Sequence, residues 1–548
     1  MESFPPCHRT SGTARRAVRR RRPWTALLLV LTALVPALAG AAPAVCAAPR
    51  PAITARPVLI PAPGGALLKG TVAEPGGRGP HPLVVMPRWA AMPELAMTRA
   101  QLTVAHRGYT AVVYSTRGLG GPAGVADMAG PRDVADVSHV IDWALRHTTG
   151  DPRHIGMVGA SYGATLGMLA AAADPRVDAV AALSGWVDMM DVLEDHGTPT
   201  LMALAVTLYG STVHGGGRRG ALLRDFLRQD RERLAAWARP RSPITHLDTY
   251  NARGTAFFLA HTWGESVTPF GRMGEFFDRL RTPKRLEMRP GDHAGPEFAT
   301  AALLSSELID SVLRWMDHGL KGTGNGVDRE APVQIRPVNS GPMFGARYGF
   351  EGHAGWEAMT GSRHRLFPGA GRSLSDAPAG PPWRTTLITG LGTVADNGPV
   401  FIPRSVVKLV GAHVPRPLSL VLPGTGSVWA TRPLPAPRYV RGTPQVRVTV
   451  TPSAGKGTIV FYLYDVDALG NGSLMTWGPW SFSGRAPGRP FTVETGLHPT
   501  AYDLPAGHRL AMVAGTTDSQ MIGRNRLGAR ISLSSEPGSP SWLDVPLR

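Results

Sequence analysis

The chain has 548 residues, 43% of them hydrophobic and 18% charged, with a formal net charge of +18. That balance describes a globular chain of about two to four domains, long enough to bury several cores. Arginine supplies nearly all the positive charge, and no basic stripe interleaved with aromatics follows the N-terminus, so nucleic acid is not the implied partner.

The first 47 residues read as an export signal. Arg15-Arg16 and Arg19 to Arg22 form a basic n-region. Thr25 to Ala42 is an apolar h-region interrupted by Pro36, and small residues from Ala39 to Ala48 suit a signal peptidase. A single membrane anchor is the rival reading; the small-residue tail and Pro36 count against it. The arginine run matches a twin-arginine signal poorly, and Cys46 lacks the leucine expected before a lipoprotein cysteine. Removing residues 1–47 takes away seven arginines and one glutamate, so +18 becomes +12. A secreted or extracytoplasmic location is expected, and so basic a chain is suited to adhere to anionic cell walls. Cys7 and Cys46, the only cysteines, lie in the signal, so no internal disulfide is expected.

From Leu67 onward, strand-type and helix-type runs alternate. Leu67 to Ala73, Pro82 to Met86, Thr110 to Tyr114, His154 to Val158 and Val177 to Leu183 read as strands. Leu95 to His106 and Arg132 to His147 read as helices, the second with Val134, Val137, Ile141 and Leu145 on one stripe. Asp188 to Arg241 breaks the alternation with a helical, irregular stretch, read as a cap over the strands' C-terminal edge. Strands return at Thr255 to Ala260 and Lys284 to Met288, with helices at Pro269 to Leu280 and Glu297 to Leu320. This is an α/β pattern, a doubly wound and mostly parallel sheet covered on both faces.

Gly159-Ala160-Ser161-Tyr162-Gly163 lies between an apolar strand and an Ala/Leu/Met helix. That context turns a weak G-x-S-x-G match into a nucleophile elbow. The acid and base should follow in loops after later strands. Glu265 follows Thr255 to Ala260, and His293 follows Lys284 to Met288, in the order serine, acid, histidine. Asp292 is a poor rival acid, since adjacent side chains diverge in a tight loop. One oxyanion donor is expected from the Tyr162 backbone N–H, and the other from Trp89 or Arg88 in the loop after Pro82 to Met86. Asp191, Glu194 and Asp195, at the start of the cap, could hold a substrate amine or stand as solvated helix-face acids.

Several stretches resemble the cocaine esterase and X-Pro dipeptidyl-peptidase group of α/β-hydrolases. Thr116 to Gly124 is similar to that family's Arg-Gly-x-Gly-x-Ser-x-Gly loop, with Pro122 where serine is usual. Asp133 to Trp143 is similar to its next helix, Gly159 to Gly163 to its Gly-x-Ser-Tyr-Gly elbow, and Trp315 to Gly322 to its final helix and exit. The resemblance implies an α/β-hydrolase fold and a Ser-His-acid triad. It departs at Glu265, where the family commonly has aspartate, and at Arg88-Trp89, where it often has a tyrosine.

After Asn325-Gly326, short strands split by Pro/Gly turns replace the helices. Val406 to Val410, Leu418 to Leu422, Gln445 to Val450, Thr458 to Tyr464, Leu510 to Ala514 and Ala529 to Leu533 read as an all-β jelly-roll sandwich. Tyr462 to Asp467 resembles the family's C-terminal domain. Asp465 and Asp467 alone do not make a calcium set. No phosphate loop or zinc spacing is present, so no cofactor or metal is expected.

The expected organisation is a signal peptide at 1–47, a catalytic α/β-hydrolase domain at 48–325 with its cap at 188–243, and a β-sandwich at 326–548. The expected activity is a serine hydrolase acting on an acyl ester or an X-Pro peptide through an acyl-Ser161 intermediate. The partners implied are that small or peptide substrate and no nucleic acid, with no membrane span after signal removal; the oligomeric state stays open. The rival is a non-catalytic exported protein whose sandwich binds wall polysaccharide or protein, suggested by Glu265, Arg88-Trp89 and Pro122.

Overall fold

The computed structural model describes residues 52–88, 94–118, 126–213, 220–268, 271–301, 306–340, 349–378, 380–398, 414–536 and 538–548. The export signal, Trp89, Pro122 and the Val406 to Val410 run lie outside these residues.

Ten strands form the first sheet. They are β1 (Ile53–Ala62), β2 (Ala66–Pro75), β3 (His81–Arg88), β4 (Thr110–Ser115), β5 (Gly150–Ala160) and β6 (Val177–Leu183), then, after a two-residue hairpin β7 (Glu194–Asp195) and β8 (Thr198–Pro199) that stands apart, β9 (Ala256–Thr262), β10 (Lys284–Arg289), β11 (Val333–Ile335) and β12 (Glu351–His353). Their order is β1-β2-β4-β3-β5-β6-β9-β10-β11-β12. The run from β4 to β11 is parallel, and β1, β2 and β12 are antiparallel to their neighbours.

The central parallel strands carry apolar runs, such as Leu83 to Met86, Ala179 to Leu183 and Ala256 to Ala260, because both faces are covered. Val85, Met157, Val180 and Leu259 pack with the helices Pro131–His147 and Tyr162–Ala173. Their neighbours Val84, Val158, Ala181 and Phe258 face the helices Glu94–His106 and Glu307–Lys321. Residues one apart thus serve opposite faces, as a strand's period of two requires. The stripe Val134, Val137 and Ile141 is buried as its spacing implies, whereas Leu145 is only partly so.

Three readings need correction. The stretch Glu297 to Leu320 is not one helix but two, Gly295–Ala301 and Glu307–Lys321. Leu418 to Leu422 is a 3-10 turn at Leu418–Leu420 rather than a strand. The sheet also runs past residue 326, because β11 pairs in parallel with β10.

Between β6 and β9 the regular elements of the described residues are short helices and the β7–β8 hairpin. The β-rich part that follows has two curled antiparallel sheets, of nine and five strands. Val446, Val448 and Val450 from one sheet share a core with Phe461, Leu463 and Met512 from the other, so the two pack face to face.

Candidate active site

β5 ends at Ala160, and the chain turns into the helix Tyr162–Ala173 through Ser161, held at φ 55° and ψ −120°. A non-glycine residue there is strained. The turn persists because both flanks leave no room for another path. A Cβ on Gly159 would lie 2.3 Å from the backbone of Gly163, and one on Gly163 would lie 2.4 Å from the Pro87 carbonyl oxygen. The Ser161 N–H donates to Leu183 O at 2.7 Å, which fastens the elbow to β6.

His293 and Glu265 arrive on the loops that follow β10 and β9. The Gly264 N–H donates to Gly291 O at 3.0 Å, and Trp263 N–H to Arg289 O at 3.1 Å, so the two loops are tied together. His293 Nε2 lies 2.8 Å from Ser161 Oγ. His293 Nδ1 lies 2.8 Å from Glu265 Oε1. That same Oε1 accepts the N–H groups of Val267 at 2.8 Å and Thr268 at 2.9 Å. The Asp292 Oδ1 instead accepts from the Ser266 and His293 backbone N–H groups.

Burial on its own would raise the Glu265 pKa, but the His293 charge and hydrogen bond outweigh it and hold the carboxyl below its ordinary value. For His293, burial lowers the pKa, and the Glu265 carboxylate with its hydrogen bond outweighs that and leaves it raised. The charged form of the His293–Glu265 pair is therefore favoured.

Tyr162 brings more than a backbone donor. Its phenol donates to Asp133 Oδ2 and accepts from Ala129 N–H at 2.7 Å. Asp133 also accepts from Asp127 N–H at 3.0 Å, and burial pushes its pKa up to about 6. Asp127 in turn binds Arg241, at the end of the cap, at 2.9 Å. A hydrogen-bonded chain thus links the cap to the residue beside the nucleophile.

The structure separates the three cap acids. Asp191 accepts from Arg272 N–H at 3.2 Å, and burial together with the Asp188 carboxylate pushes its pKa up to about 7. Glu194 faces Arg231 and Arg524. Asp195 binds His196 at 2.7 Å and His498, from the sandwich, at 2.6 Å. Glu194 and Asp195 therefore hold the cap hairpin and the sandwich together, and neither is a solvated helix-face acid. Arg88 places its guanidinium 2.7 Å from Ser115 Oγ.

Glu297 was not singled out by sequence reasoning. It is buried, accepts from Ser184 Oγ at 2.7 Å, and interacts electrostatically with His293; burial raises its pKa. Its sequence signal, an acid in a helix's first turn after Pro296, is one that many structural acids share. In the sandwich, Asp465 is bound by Tyr502 and His508, and Asp467 caps a turn at Leu469 and Asn471. Among the described residues no cluster of His, Cys, Asp or Glu could hold a metal ion.

A mostly parallel, doubly covered sheet with serine on a strained strand-to-helix turn, and with acid and histidine on later loops, is an α/β-hydrolase. Residues 64–295 match the X-Pro dipeptidyl-peptidase (S15 family) domain, and residues 325–537 match the X-Pro dipeptidyl-peptidase C-terminal non-catalytic domain. The chain belongs to the X-Pro dipeptidyl-peptidase and cocaine esterase family of serine hydrolases.

It is similar to a Streptomyces avermitilis protein assigned by name to the Xaa-Pro dipeptidyl-peptidases, with 22% identity over 496 residues, 76% of this chain and 68% of that one. Among solved structures it is similar to a CocE/NonD family hydrolase from Staphylococcus aureus, with a TM-score of 0.68 and 13% identity over 90% of this chain and 94% of the other. An α-amino acid ester hydrolase gives a TM-score of 0.68 at 16% identity, over 94% and 100% of the two chains.

Proposed function

We propose that this chain is an exported serine hydrolase in which Ser161, His293 and Glu265 form the triad. The observation that carries the reading is the unbroken pair of 2.8 Å contacts, Ser161 Oγ to His293 Nε2 and His293 Nδ1 to Glu265 Oε1. His293 Nε2 takes the Ser161 proton as Oγ attacks the substrate carbonyl carbon. The developing oxyanion meets the Tyr162 N–H at the helix N-terminus, with a second donor from the loop after Pro87. His293 passes the proton to the departing amine or alcohol, which leaves acyl-Ser161, and water then repeats the cycle. Glu265 holds the Nδ1–H tautomer and stabilises the imidazolium.

The substrate is an ester or amide, either an acyl ester or a peptide with penultimate proline. The relatives' names, Xaa-Pro dipeptidyl-peptidase and α-amino acid ester hydrolase, have in common an acyl portion with a free α-amine. Asp191 is the cap acid left to meet such an amine, since Glu194 and Asp195 are committed elsewhere. A decayed, non-catalytic scaffold would have no reason to keep both triad contacts at hydrogen-bond length.

A fluorophosphonate probe tests the chemistry: Ser161 should be labelled in wild type and not in Ser161→Ala. Unlabelled wild type would sink the proposal. Comparing Gly-Pro-p-nitroanilide with p-nitrophenyl butyrate decides the substrate class.

A further inference from the structure

Strand register gathers one end of the sandwich. The strands Gln445–Pro452 and Gly457–Val466 are joined through residues 453–456, Asn471–Phe482 and Phe491–Gly496 through 483–490, and Arg509–Gly515 and Arg530–Ser535 through 516–529. The pairs Ile388↔Arg530, Pro452↔Ile531, Val450↔Phe491 and Gly457↔Phe482 set these connections side by side. Backbone bonds close the set: Arg485 N–H to Gly455 O at 3.0 Å, Gly488 N–H to Pro452 O at 2.7 Å, and Ser453 N–H to Arg530 O at 2.8 Å.

Lys456, Arg485, Arg489, Arg526 and Arg530 are exposed on these connections. No acid occurs in 452–457 or 483–490, and the one acid in 516–529, Asp518, is buried. None of the five cations has an ion-pair partner among the described residues. Arg524, by contrast, turns to the cap and donates to Gln229 at 2.7 Å. Other exposed arginines, among them Arg231, Arg279 and Arg365, stand in ion pairs.

The same end exposes aliphatic side chains. Ile388 is 39% exposed, Leu391 40%, Leu422 61% and Leu527 79%. The Ile388 N–H donates to Gly424 O at 2.7 Å, and the Leu527 side chain closes on Gly390, so their segments adjoin the basic connections. Segments 385–395 and 417–430 carry no charge at all. A single exposed leucine is ordinary. Several of them around a cationic end call for an occupant with two chemistries. A soluble polyanion would take the cations and leave the aliphatics wet. A bilayer interface offers phosphates to the cations and an acyl boundary to the aliphatics.

We propose that this end of the sandwich docks on the surface of an anionic phospholipid bilayer. Lys456, Arg485, Arg489, Arg526 and Arg530 face the headgroup phosphates, and Leu422 and Leu527 reach the acyl boundary. The surface is separate from Ser161 and does not depend on the hydrolase reading.

The test is co-flotation of the full chain with vesicles of phosphatidylcholine alone or with one-third phosphatidylglycerol. Binding is expected only to the phosphatidylglycerol vesicles and should weaken with salt. The triple variant Arg485→Gln, Arg489→Gln, Arg526→Gln should lose on the order of 100-fold in partitioning, about fivefold per cation. Its thermal unfolding midpoint should be unchanged, which shows the fold intact. A control triple at exposed arginines elsewhere, Arg363→Gln, Arg384→Gln, Arg438→Gln, should bind as wild type. Leu527→Ser should weaken binding several-fold without changing the salt dependence. Equal binding to both vesicles, equal loss in the control triple, or binding to soluble polyphosphate but not to vesicles would each overturn the proposal.

Discussion

Glu265→Gln separates two things the proposed triad acid supplies, a charge and an acceptor at the right place. In the wild type three donors converge on one oxygen: His293 Nδ1 at 2.8 Å, Val267 N–H at 2.8 Å and Thr268 N–H at 2.9 Å. Among the described residues the other oxygen, Oε2, has no hydrogen-bond partner; the ring Nδ1 of His261 stands 3.8 Å away. A glutamine will therefore put its carbonyl oxygen at the Oε1 place, since an amide NH2 there would oppose two backbone donors. His293 keeps its Nδ1–H tautomer and loses only the charge facing it. A hydrogen bond to a charged group is worth about 1.5–3 kcal/mol, so kcat/KM should fall about 10- to 150-fold. A reversed tautomer would cost on the order of 10⁴-fold. The pH profile tells the two apart. In the wild type the raised His293 pKa puts the acid limb of kcat/KM above the ordinary 6.5, and activity is lost as the pH falls through it. Without the Glu265 charge the burial effect prevails over what remains from Glu297 and Asp292, and the limb moves lower. The assay is steady-state hydrolysis of p-nitrophenyl butyrate from pH 5 to 9. Wild-type activity in the variant, or a loss near 10⁴-fold with an unmoved limb, would refute this account.

Other perturbations have expected outcomes of their own. Tyr162→Phe removes the donor to Asp133 and loosens the residue that carries the oxyanion N–H; kcat should fall about tenfold with KM nearly constant in steady-state kinetics. Asp191→Asn should raise KM about 10- to 100-fold for Gly-Pro-p-nitroanilide and leave p-nitrophenyl butyrate unaffected, a charge-assisted contact being at stake. Asp518, bound by Tyr462 and Asn397, has a pKa that burial raises from 3.8 to about 6. The folded state holds that proton more tightly than the unfolded chain, so its contribution to stability falls as pH rises from about 4 to 6. Relative to wild type, Asp518→Asn should gain on the order of 2–3 kcal/mol between pH 4 and 7 in urea unfolding. Gly163→Ala forces a Cβ to 2.4 Å from Pro87 O and should cost both stability and Ser161 labelling.

How much of this was legible depended on whether the signal was local. Gly159 to Gly163, Glu265 and His293 could be located because strand, turn and helix patterns fix where loops fall, and loops after parallel strands share one edge. The first strand was missed because Pro57 and Pro61 lie inside it. They are tolerated because β1 is an edge strand with only β2 beside it. β11 has three residues, too few to show a period. The cap acids could not be sorted by sequence, since Asp195 meets His498 across 303 residues. The basic end of the sandwich was hidden for the same reason. Its cations are spread from Lys456 to Arg530 and become neighbours only through strand pairing.

The choice of glutamate over aspartate at position 265 follows from the loop it stands on. An acid here must serve His293 and also satisfy the N–H groups of Val267 and Thr268, which the turn after β9 leaves buried. Burying them without an acceptor would cost about 1–3 kcal/mol each. The longer side chain can fold back over its own turn, meet both donors and still present the same oxygen to His293. Asp292, one residue from the base, performs the same backbone service for Ser266 and His293 itself. Two acids thus build the loop pair, and only the one whose accepting oxygen also reaches the imidazole can act as the triad acid. What looked in the sequence like a departure from the usual aspartate is, in the fold, an acid anchored by its own loop.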